Sequence, residues 1–213
     1  MKSEIQMVKD TYNNNVVEEW ERLERHPIEY AITCRYIDRY IKPGNKVLDI
    51  GGGPGRYSLY LAEKGCDITL LELSDANVAF ANEQADKQGL QIKTICGDAC
   101  IADTLVNSQF DHILLMGPLY HLPDENDRIK AVNAALRLLK TDGTLFSAFI
   151  SSYAAMWDFL AREPKHIISL REQELKQEHS DVLQKWIDFA VNLCEREEFL
   201  SMSHHLLHIG RKI

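Results

Sequence analysis

The segment Val47–Arg56 reads VLDIGGGPGR, an apolar run with an acid near its end that opens into a glycine-rich turn. The stretch after it, Tyr57–Lys64, has the pattern of a helix. A strand, a glycine turn and a helix N-terminus are the parts with which α/β sheets hold nucleotide-sized ligands through backbone N–H groups. Glycine suits such a turn because it adopts positive φ and lets a ligand approach the backbone. The segment therefore predicts a ligand-binding turn at the carboxyl end of a strand.

Strand and helix patterns alternate outward from this turn. We predict strands at 46–50, 67–73, 91–96, 110–116 and 144–150, and helices at 55–64, 75–88 and 124–140. The alternation predicts an α/β fold, a doubly wound Rossmann-like sheet that is mostly parallel and has helices on both faces. Ser74 is expected to cap the helix at 75–88 at its N-terminus and Gly89 at its C-terminus. The predicted buried stripe of the last helix consists of Ile129, Val132, Leu136 and Leu139.

Helical patterns also flank the alternating core. Residues 3–25 are predicted to be helical with a break at Asn13–Asn15, and a second helix is expected from Pro27 to about Ile41. Further helices are predicted at 153–162, 166–178 and 180–198, followed by at most one weak strand within 203–213. We therefore assign an N-terminal helical segment to 1–42, the core to 43–151 and a helical C-terminal extension to 152–213, in one compact domain overall.

The composition excludes several classes of function. The 213 residues carry a net charge of −8, which disfavours nucleic-acid binding because that binding depends on lysine and arginine neutralising phosphates. No apolar run approaches the roughly 20 residues that a membrane span needs, and the chain begins without the apolar region of a signal peptide. The five cysteines are scattered and contain no C-x-x-C pair. These features predict a cytoplasmic protein without structural disulfides.

The spacing of the glycines excludes two common phosphate-binding motifs. The dinucleotide fingerprint G-x-G-x-x-G/A fails because its sixth position is Arg56 when counted from Gly51 and Ser58 when counted from Gly53. The phosphate loop G-x-x-x-x-G-K-[ST] is absent. An NAD-dependent oxidoreductase is therefore disfavoured, and a sheet turn without a ligand stays open as an alternative.

Acidic residues follow the next two predicted strands. Glu72 ends the second strand, where a carboxylate has the geometry to accept hydrogen bonds from both hydroxyls of a ribose. Asp98 follows the third strand, and the alternatives there are a ligand contact and a helix N-cap, which are compatible with each other.

These motifs together resemble those of the class I S-adenosylmethionine (SAM)-dependent methyltransferases over about residues 30–150. The resemblance implies that the glycine turn cradles the methionine part of the cofactor SAM, Glu72 binds the ribose and Asp98 the adenine. It also makes residues 1–42 a lid over the site. The implied cofactor-binding residues are Tyr12, Asp49, Gly51, Gly52, Gly53, Gly55, Glu72, Leu73, Asp98, Ala99 and Met116.

The fourth strand leads into Met116-Gly117-Pro118-Leu119-Tyr120-His121-Leu122. In the family that this chain resembles, the corresponding segment lies between the cofactor and the methyl acceptor. Members that methylate bases or glutamine carry Asn/Asp-Pro-Pro-Tyr in this segment. This chain lacks that motif and is instead similar to small-molecule methyltransferases. His121, with Tyr120 beside it, is the candidate catalytic residue, and a purely local structural role stays open for both.

The resemblance implies transfer of a methyl group by in-line displacement to a small-molecule acceptor at O, N or carbon. The family's sheet usually has seven strands, and here the last two are expected to be incomplete or missing. The alternative is therefore a catalytically impaired binding module of the same fold. No metal site is expected, because His204, His205 and His208 lack a third well-spaced ligand. The sequence predicts neither the acceptor nor the oligomeric state.

Overall fold

The computed structural model describes residues 4–150 and 205–213. The chain divides into two compact units. The first comprises Met1–Trp20, Tyr40–Ala148 and Leu207–Ile213, and the second comprises Glu21–Arg39 and Phe149–Leu206. The predicted helices at 153–162, 166–178 and 180–198 lie outside the described residues.

The described residues form a mostly parallel sheet of six strands in the order β3-β2-β1-β4-β5-β6. Parallel pairing joins β1 to β2 and β4, β2 to β3, and β4 to β5. The strands are β1 Lys46–Ile50, β2 Asp67–Glu72, β3 Lys93–Cys96, β4 Phe110–Leu115, β5 Leu139–Ile150 and β6 His205–Arg211. The predicted strands are confirmed, and β5 begins five residues earlier than predicted because Leu139 already pairs with Phe110 before an irregularity in the register.

Seven helices accompany the sheet in the described ranges, together with short 3-10 turns at Ala99–Ile101 and Pro118–Tyr120. Helices α4 and α5 contact β2, and α7 contacts β4. The helices are α1 Glu4–Asn14, α2 Val16–Arg25, α3 Pro27–Tyr40, α4 Arg56–Glu63, α5 Asp75–Gln88, α6 Ala102–Leu105 and α7 Glu125–Leu138. The sequence missed α6 and both 3-10 turns, which are too short to show a hydrophobic period.

The predicted caps of α5 are present. The Ser74 hydroxyl accepts a hydrogen bond from the Asn77 N–H, and Gly89 ends the helix with a φ of 65°. The predicted stripe of α7 is wrong in part, because Ile129 is exposed and the helix buries Ala131, Ala134, Ala135 and Leu138 instead. Small alanines let a helix lie close to the sheet, and a pattern search weighted toward large apolar residues overlooks them.

The C-terminal strand β6 is the single strand expected within 203–213. The Asp142 N–H donates to Lys212 O, and the Lys212 N–H donates to Gly143 O, each at 2.9 Å. These bonds place the end of β6 beside the start of β5, so the two strands run in opposite directions. The Lys212 ammonium also donates to Leu136 O and Leu139 O at 2.8 and 2.6 Å, which satisfies carbonyl groups at the end of α7.

In the second unit, the Arg22 guanidinium donates to both carboxylate oxygens of Glu29 at 3.1 Å. Along the described part of the chain, no helix combines the length and apolar character needed to cross a membrane. Histidine, cysteine and acidic side chains of the same part form no group of three that suits a metal ion. His204 of the histidine cluster lies outside the described residues.

Candidate functional site

The glycine turn lies where the strand order reverses. β1 is flanked by β2 on one side and β4 on the other, and chain connections leave this point in opposite directions. In open α/β sheets, ligands bind in the crevice at the carboxyl ends of the strands at such a switch point. The turn also touches the segment after β4, because a Cβ added to Gly117 would lie 2.6 Å from Gly51 O.

Two different constraints require glycine in this turn, namely a positive φ and the lack of space for a Cβ. Gly51, Gly53 and Gly55 have φ of 68°, 58° and 87°, which other L-residues adopt at a cost. A Cβ on Gly52 would overlap the Asp49 carboxyl group. A Cβ on Gly53 would meet nothing closer than Glu19 Cγ at 3.8 Å, so the turn is open above Gly53. Open space above the turn is therefore found at Gly53, whereas the absence of a side chain at Gly52 leaves room for Asp49.

Asp49 lies beneath this turn and is 2% exposed. Its Oδ2 accepts a hydrogen bond from the Ser58 hydroxyl of α4 at 2.7 Å. Burial raises the pKa of the Asp49 carboxyl from 3.8 to about 7, the Ser58 bond opposes the rise, and the charge of Glu72 adds to it. Asp49 thus holds the start of α4 against β1 and titrates near neutral pH.

Glu72 at the end of β2 faces the glycine turn. Its Oε2 accepts the Gly53 N–H at 3.1 Å, and its Oε1 accepts the Ser74 N–H at 2.9 Å. Burial raises the pKa of the Glu72 carboxyl, the backbone donors and Asn77 oppose the rise, and the charge of Glu19 adds to it. The carboxylate predicted to bind a ribose is therefore fixed in place by two backbone groups.

Asn77 was missed by the sequence analysis. It is fully buried in the first turn of α5, and its Nδ2 lies 3.5 Å from Glu72 Oε1. Its Oδ1 has no hydrogen-bond partner, although a buried acceptor left unpaired costs about 1–3 kcal/mol. The signal that points to it is its spacing, three residues beyond the Ser74 cap.

Helix α1 is attached to α5 by polar contacts. Asn13 Oδ1 accepts the Ser74 hydroxyl at 2.5 Å and the Ala76 N–H at 3.4 Å. Lys9 forms an ion pair with Asp75 at 2.7 Å. These contacts place the first helix beside the end of β2.

Tyr12 on α1 reaches the segment after β4. Its hydroxyl lies 2.5 Å from His121 Nε2, and the two rings meet edge to face with centroids 5.3 Å apart. The centroid of the Tyr120 ring lies 4.6 Å from that of the His121 ring, and the two rings are tilted by 58°. Burial lowers the pKa of His121, and the charge of Glu19 opposes that change. His121 is therefore a half-buried imidazole that is neutral at pH 7, with one nitrogen against a phenol.

The remaining predicted residues lie at the edge of this group. Asp98 Oδ1 accepts the Cys100 N–H at 2.9 Å, so the capping role is present. The Gly97 N–H donates to Glu72 O at 2.9 Å, which brings the end of β3 next to the end of β2. Ala99 packs its side chain into the core, and Leu73 and Met116 are partly exposed beyond β2 and β4.

The structure thus brings together the glycine turn, Asp49, Glu72, Tyr12, His121 and Tyr120 around the switch point, with Asp98 one strand away. Sequence reasoning missed Asn77, Asn13 and Glu19. Asn13 was interpreted only as part of a helix break and Glu19 was not singled out, because a single polar residue on a helix carries no signal of what faces it.

Comparisons with known proteins agree with this geometry. Residues 47–143 match the family described as "Methyltransferase domain". The chain is 35% identical over 121 residues to "Ubiquinone biosynthesis O-methyltransferase" of Coxiella burnetii, covering 56% of this chain and 50% of that protein. The protein with the same description from Stutzerimonas stutzeri is 28% identical over 142 residues, covering 65% and 59%. This chain therefore spans about half the length of the curated relatives it matches.

Solved structures show the same fold. The magnesium protoporphyrin IX methyltransferase of Synechocystis PCC 6803, solved with bound SAM, superposes with a TM-score of 0.57 at 19% identity, over 72% of this chain and 79% of that one. A SAM-dependent methyltransferase from Clostridium acetobutylicum gives 0.55 at 21% identity, over 66% and 58%. At these identities the likeness establishes the architecture.

Proposed function

We propose that this chain is a class I SAM-dependent methyltransferase, because residues 47–143 match the methyltransferase domain family, and that it binds SAM and transfers the methyl group to a small-molecule acceptor. One observation carries the proposal: the turn is open above Gly53, whose N–H bonds to the carboxylate of Glu72. A ligand that lies on this turn would meet open backbone at Gly53 and, beside it, the carboxylate proposed to bind the ribose.

The charge of the site supports SAM over a dinucleotide. Asp49 and Glu72 receive hydrogen bonds from neutral groups among the described residues, and Glu19 adds negative charge beside them. SAM carries two positive groups, a sulfonium and an ammonium, and one negative carboxylate. NAD carries a negatively charged diphosphate. Burial and, to a smaller extent, neighbouring negative charge raise the pKa of both carboxyls, and such a site attracts the first ligand and repels the second.

The residues present fit the cofactor by their chemistry. Gly53 would leave its backbone open to the methionine part, while Gly51 and Gly55 shape the turn and Asp49 lies beneath it. Glu72 and Leu73 would hold the ribose, Asp98 and Ala99 the adenine, and Met116 the side facing the acceptor. SAM, when bound, supplies a methyl group already activated by the positive sulfur. The chain's own part is then to orient the acceptor, exclude water and receive a proton where the acceptor carries one.

The acceptor is proposed to be a small molecule with an oxygen nucleophile. The curated relatives are described as O-methyltransferases, and the segment after β4 lacks the Asn/Asp-Pro-Pro-Tyr pattern of base and glutamine methylation. His121 is the proposed proton acceptor, and Tyr120 restricts its ring.

Gly53→Ala and Gly89→Ala form a matched pair that tests the binding site. Both positions have a φ near 60°, and both have room for a Cβ, since nothing lies within 4 Å at Gly89. Each variant should therefore lose a similar free energy of unfolding, about 1–2 kcal/mol for a left-handed alanine. Only Gly53→Ala places a methyl group in the cradle, so we expect it to weaken SAM binding about tenfold or more in calorimetry while Gly89→Ala binds as the parent does.

Two outcomes contradict the proposal. One is the absence of heat with millimolar SAM or S-adenosylhomocysteine while NADH binds. The other is an equal loss of SAM affinity in both glycine variants, which would mean that ligand binding follows stability and not the cradle. Binding of SAM without turnover of any of a panel of phenols, alcohols and amines would favour the impaired binding module.

A further inference from the structure

The contact between Tyr12 and His121 joins two parts of the chain that are 109 residues apart. Resting on the proposed function, we infer that Tyr12 and His121 form a proton relay that accepts the proton of a hydroxyl group on the methyl acceptor. The relay assigns Tyr12 to proton transfer in addition to the cofactor contact expected from the sequence, and it specifies the acceptor as an alcohol or phenol.

The first argument is geometric. The Tyr12 hydroxyl lies 2.5 Å from His121 Nε2, within the range of a strong O–H···N hydrogen bond. Because this hydroxyl is bonded to Nε2, a proton reaches that nitrogen through the phenol. The edge-to-face packing of the two rings and the Tyr120 ring keep His121 in this orientation.

The second argument concerns the direction of the hydrogen bond. Among the described residues, His121 faces the Tyr12 hydroxyl on α1 and the Tyr120 ring before it, and it lies in the field of the negative charge of Glu19 on α2. Burial outweighs the charge of Glu19 and lowers the pKa of His121, so the imidazole is neutral at pH 7. A phenol is a better donor than acceptor, which favours the tautomer with the proton on Nδ1 and the lone pair on Nε2.

The proton balance of the step is simple. The acceptor hydroxyl gives its proton to the Tyr12 oxygen as the Tyr12 proton moves to His121 Nε2, which leaves a neutral phenol and an imidazolium. The acceptor oxygen forms its bond to the methyl carbon as the carbon–sulfur bond breaks, and that electron pair stays on sulfur. The imidazolium then returns its proton to water through Tyr12. A thiolate or a neutral amine has no need of this relay before attack.

The third argument is that docking of α1 does not depend on the hydroxyl. Lys9 pairs with Asp75, and Asn13 bonds to Ser74 and to the Ala76 N–H, so α1 is already attached to α5. Tyr12→Phe keeps the ring and these contacts and removes only the hydroxyl. The variant therefore separates proton transfer from closure of the helix.

The first experiment is nitrogen NMR of the full chain labelled with ¹⁵N, with the His121 signals assigned by His121→Gln. We expect a neutral imidazole whose Nδ1 carries the proton and whose Nε2 has the shift of a hydrogen-bonded acceptor. Tyr12→Phe should move Nε2 toward the value of a free nitrogen and raise the pKa of His121, because the bond stabilises the neutral form. Tyr60→Phe on α4 is the control and should change neither. A proton on Nε2, or no response to Tyr12→Phe, overturns the relay.

The second experiment measures turnover with SAM and the phenols of the panel. Tyr12→Phe and His121→Gln should each lower kcat by about a hundredfold, and the double variant should lose no more than either alone, because the two groups act in one step. A nitrophenol that is already ionised at pH 8 should be little affected. Additive losses, or equal losses with the nitrophenol, overturn the relay.

Calorimetry with SAM distinguishes failure of the relay from failure of the proposed function. If the parent binds SAM and the NMR or kinetic result is negative, the relay is wrong and the proposed function stands. If the parent does not bind SAM, the proposed function fails and the relay fails with it.

Discussion

Replacing Asp49 by asparagine should flatten the dependence of stability on pH. The pKa of this carboxyl is about 7 in the folded protein and near 3.8 in the unfolded chain. Between these values the folded state holds a proton that the unfolded state has lost, so the free energy of unfolding falls as the pH rises. The stabilising contribution is complete below about pH 4 and is lost once the pH passes 7.

The size of the effect follows from the difference between the two pKa values. About 3 pH units at about 1.4 kcal/mol each give about 4 kcal/mol, of which about 3 kcal/mol lies between pH 4.5 and 8. The carboxyl is fully buried and its hydrogen bond comes from a neutral hydroxyl, so solvent screening removes little of this value. Glu72 also has a raised pKa and adds a slope of the same sign.

The assay is urea unfolding of the parent and Asp49→Asn at half-unit steps from pH 4.5 to 8. The asparagine oxygen still accepts the Ser58 hydroxyl, so we compare the two pH slopes and not the absolute stabilities. We expect the parent to lose about 3 kcal/mol more than the variant across this range. Asp86→Asn, at an exposed position of α5, controls for the loss of an ordinary carboxylate. Parallel curves for the parent and Asp49→Asn would refute the assignment of a buried, protonated Asp49.

Two further predictions concern contacts that hold the site and the last strand. Ser74→Ala removes the cap of α5 and the bond to Asn13, so we expect a loss of about 1–2 kcal/mol in urea unfolding and faster amide exchange in α1. A loss of stability without faster exchange would mean that Asn13 does not attach α1 to α5. Lys212→Met keeps most of the side chain but leaves the carbonyls of Leu136 and Leu139 without their ammonium donor, and should cost about 1 kcal/mol by the same assay. Unchanged stability would indicate that water replaces the ammonium group there.

The sequence predicted the parts of this fold that have strong local signals. The strands have unbroken apolar runs, and α5 has Ser74 at one end and Gly89 at the other, so both were found with boundaries close to those observed. The prediction of the buried face of α7 was partly wrong because that face consists largely of alanines. Alanines allow the helix to pack close to the sheet but bury little apolar area, so they give a weak hydrophobic pattern.

The sequence could indicate the candidate residues that follow strand ends, but not those that meet only because distant elements fold together. Glu72 could be singled out because the end of β2 is where a sheet of this kind carries an acid for a ribose. The meeting of Tyr12 with His121 spans 109 residues, and no period or spacing in one sequence encodes it. Asn77 was missed for a related reason, since its unpaired oxygen is a property of its buried surroundings and not of its residue type.

The acids around the glycine turn lower the free energy of unfolding of the ligand-free protein at neutral pH. Binding of the proposed cationic ligand would offset this loss. Burial raises the pKa of both Asp49 and Glu72, and each receives hydrogen bonds without a neighbouring cation among the described residues to offset its charge. A ligand with a positive sulfur would reverse this by favouring the ionised carboxylates, so its binding should release a proton from Asp49 near pH 7. S-adenosylhomocysteine lacks the sulfonium charge and gains less from the same acids. On the proposed function, the charges that destabilise the fold therefore favour the substrate over the product, and they do so through residues that need not touch the sulfur.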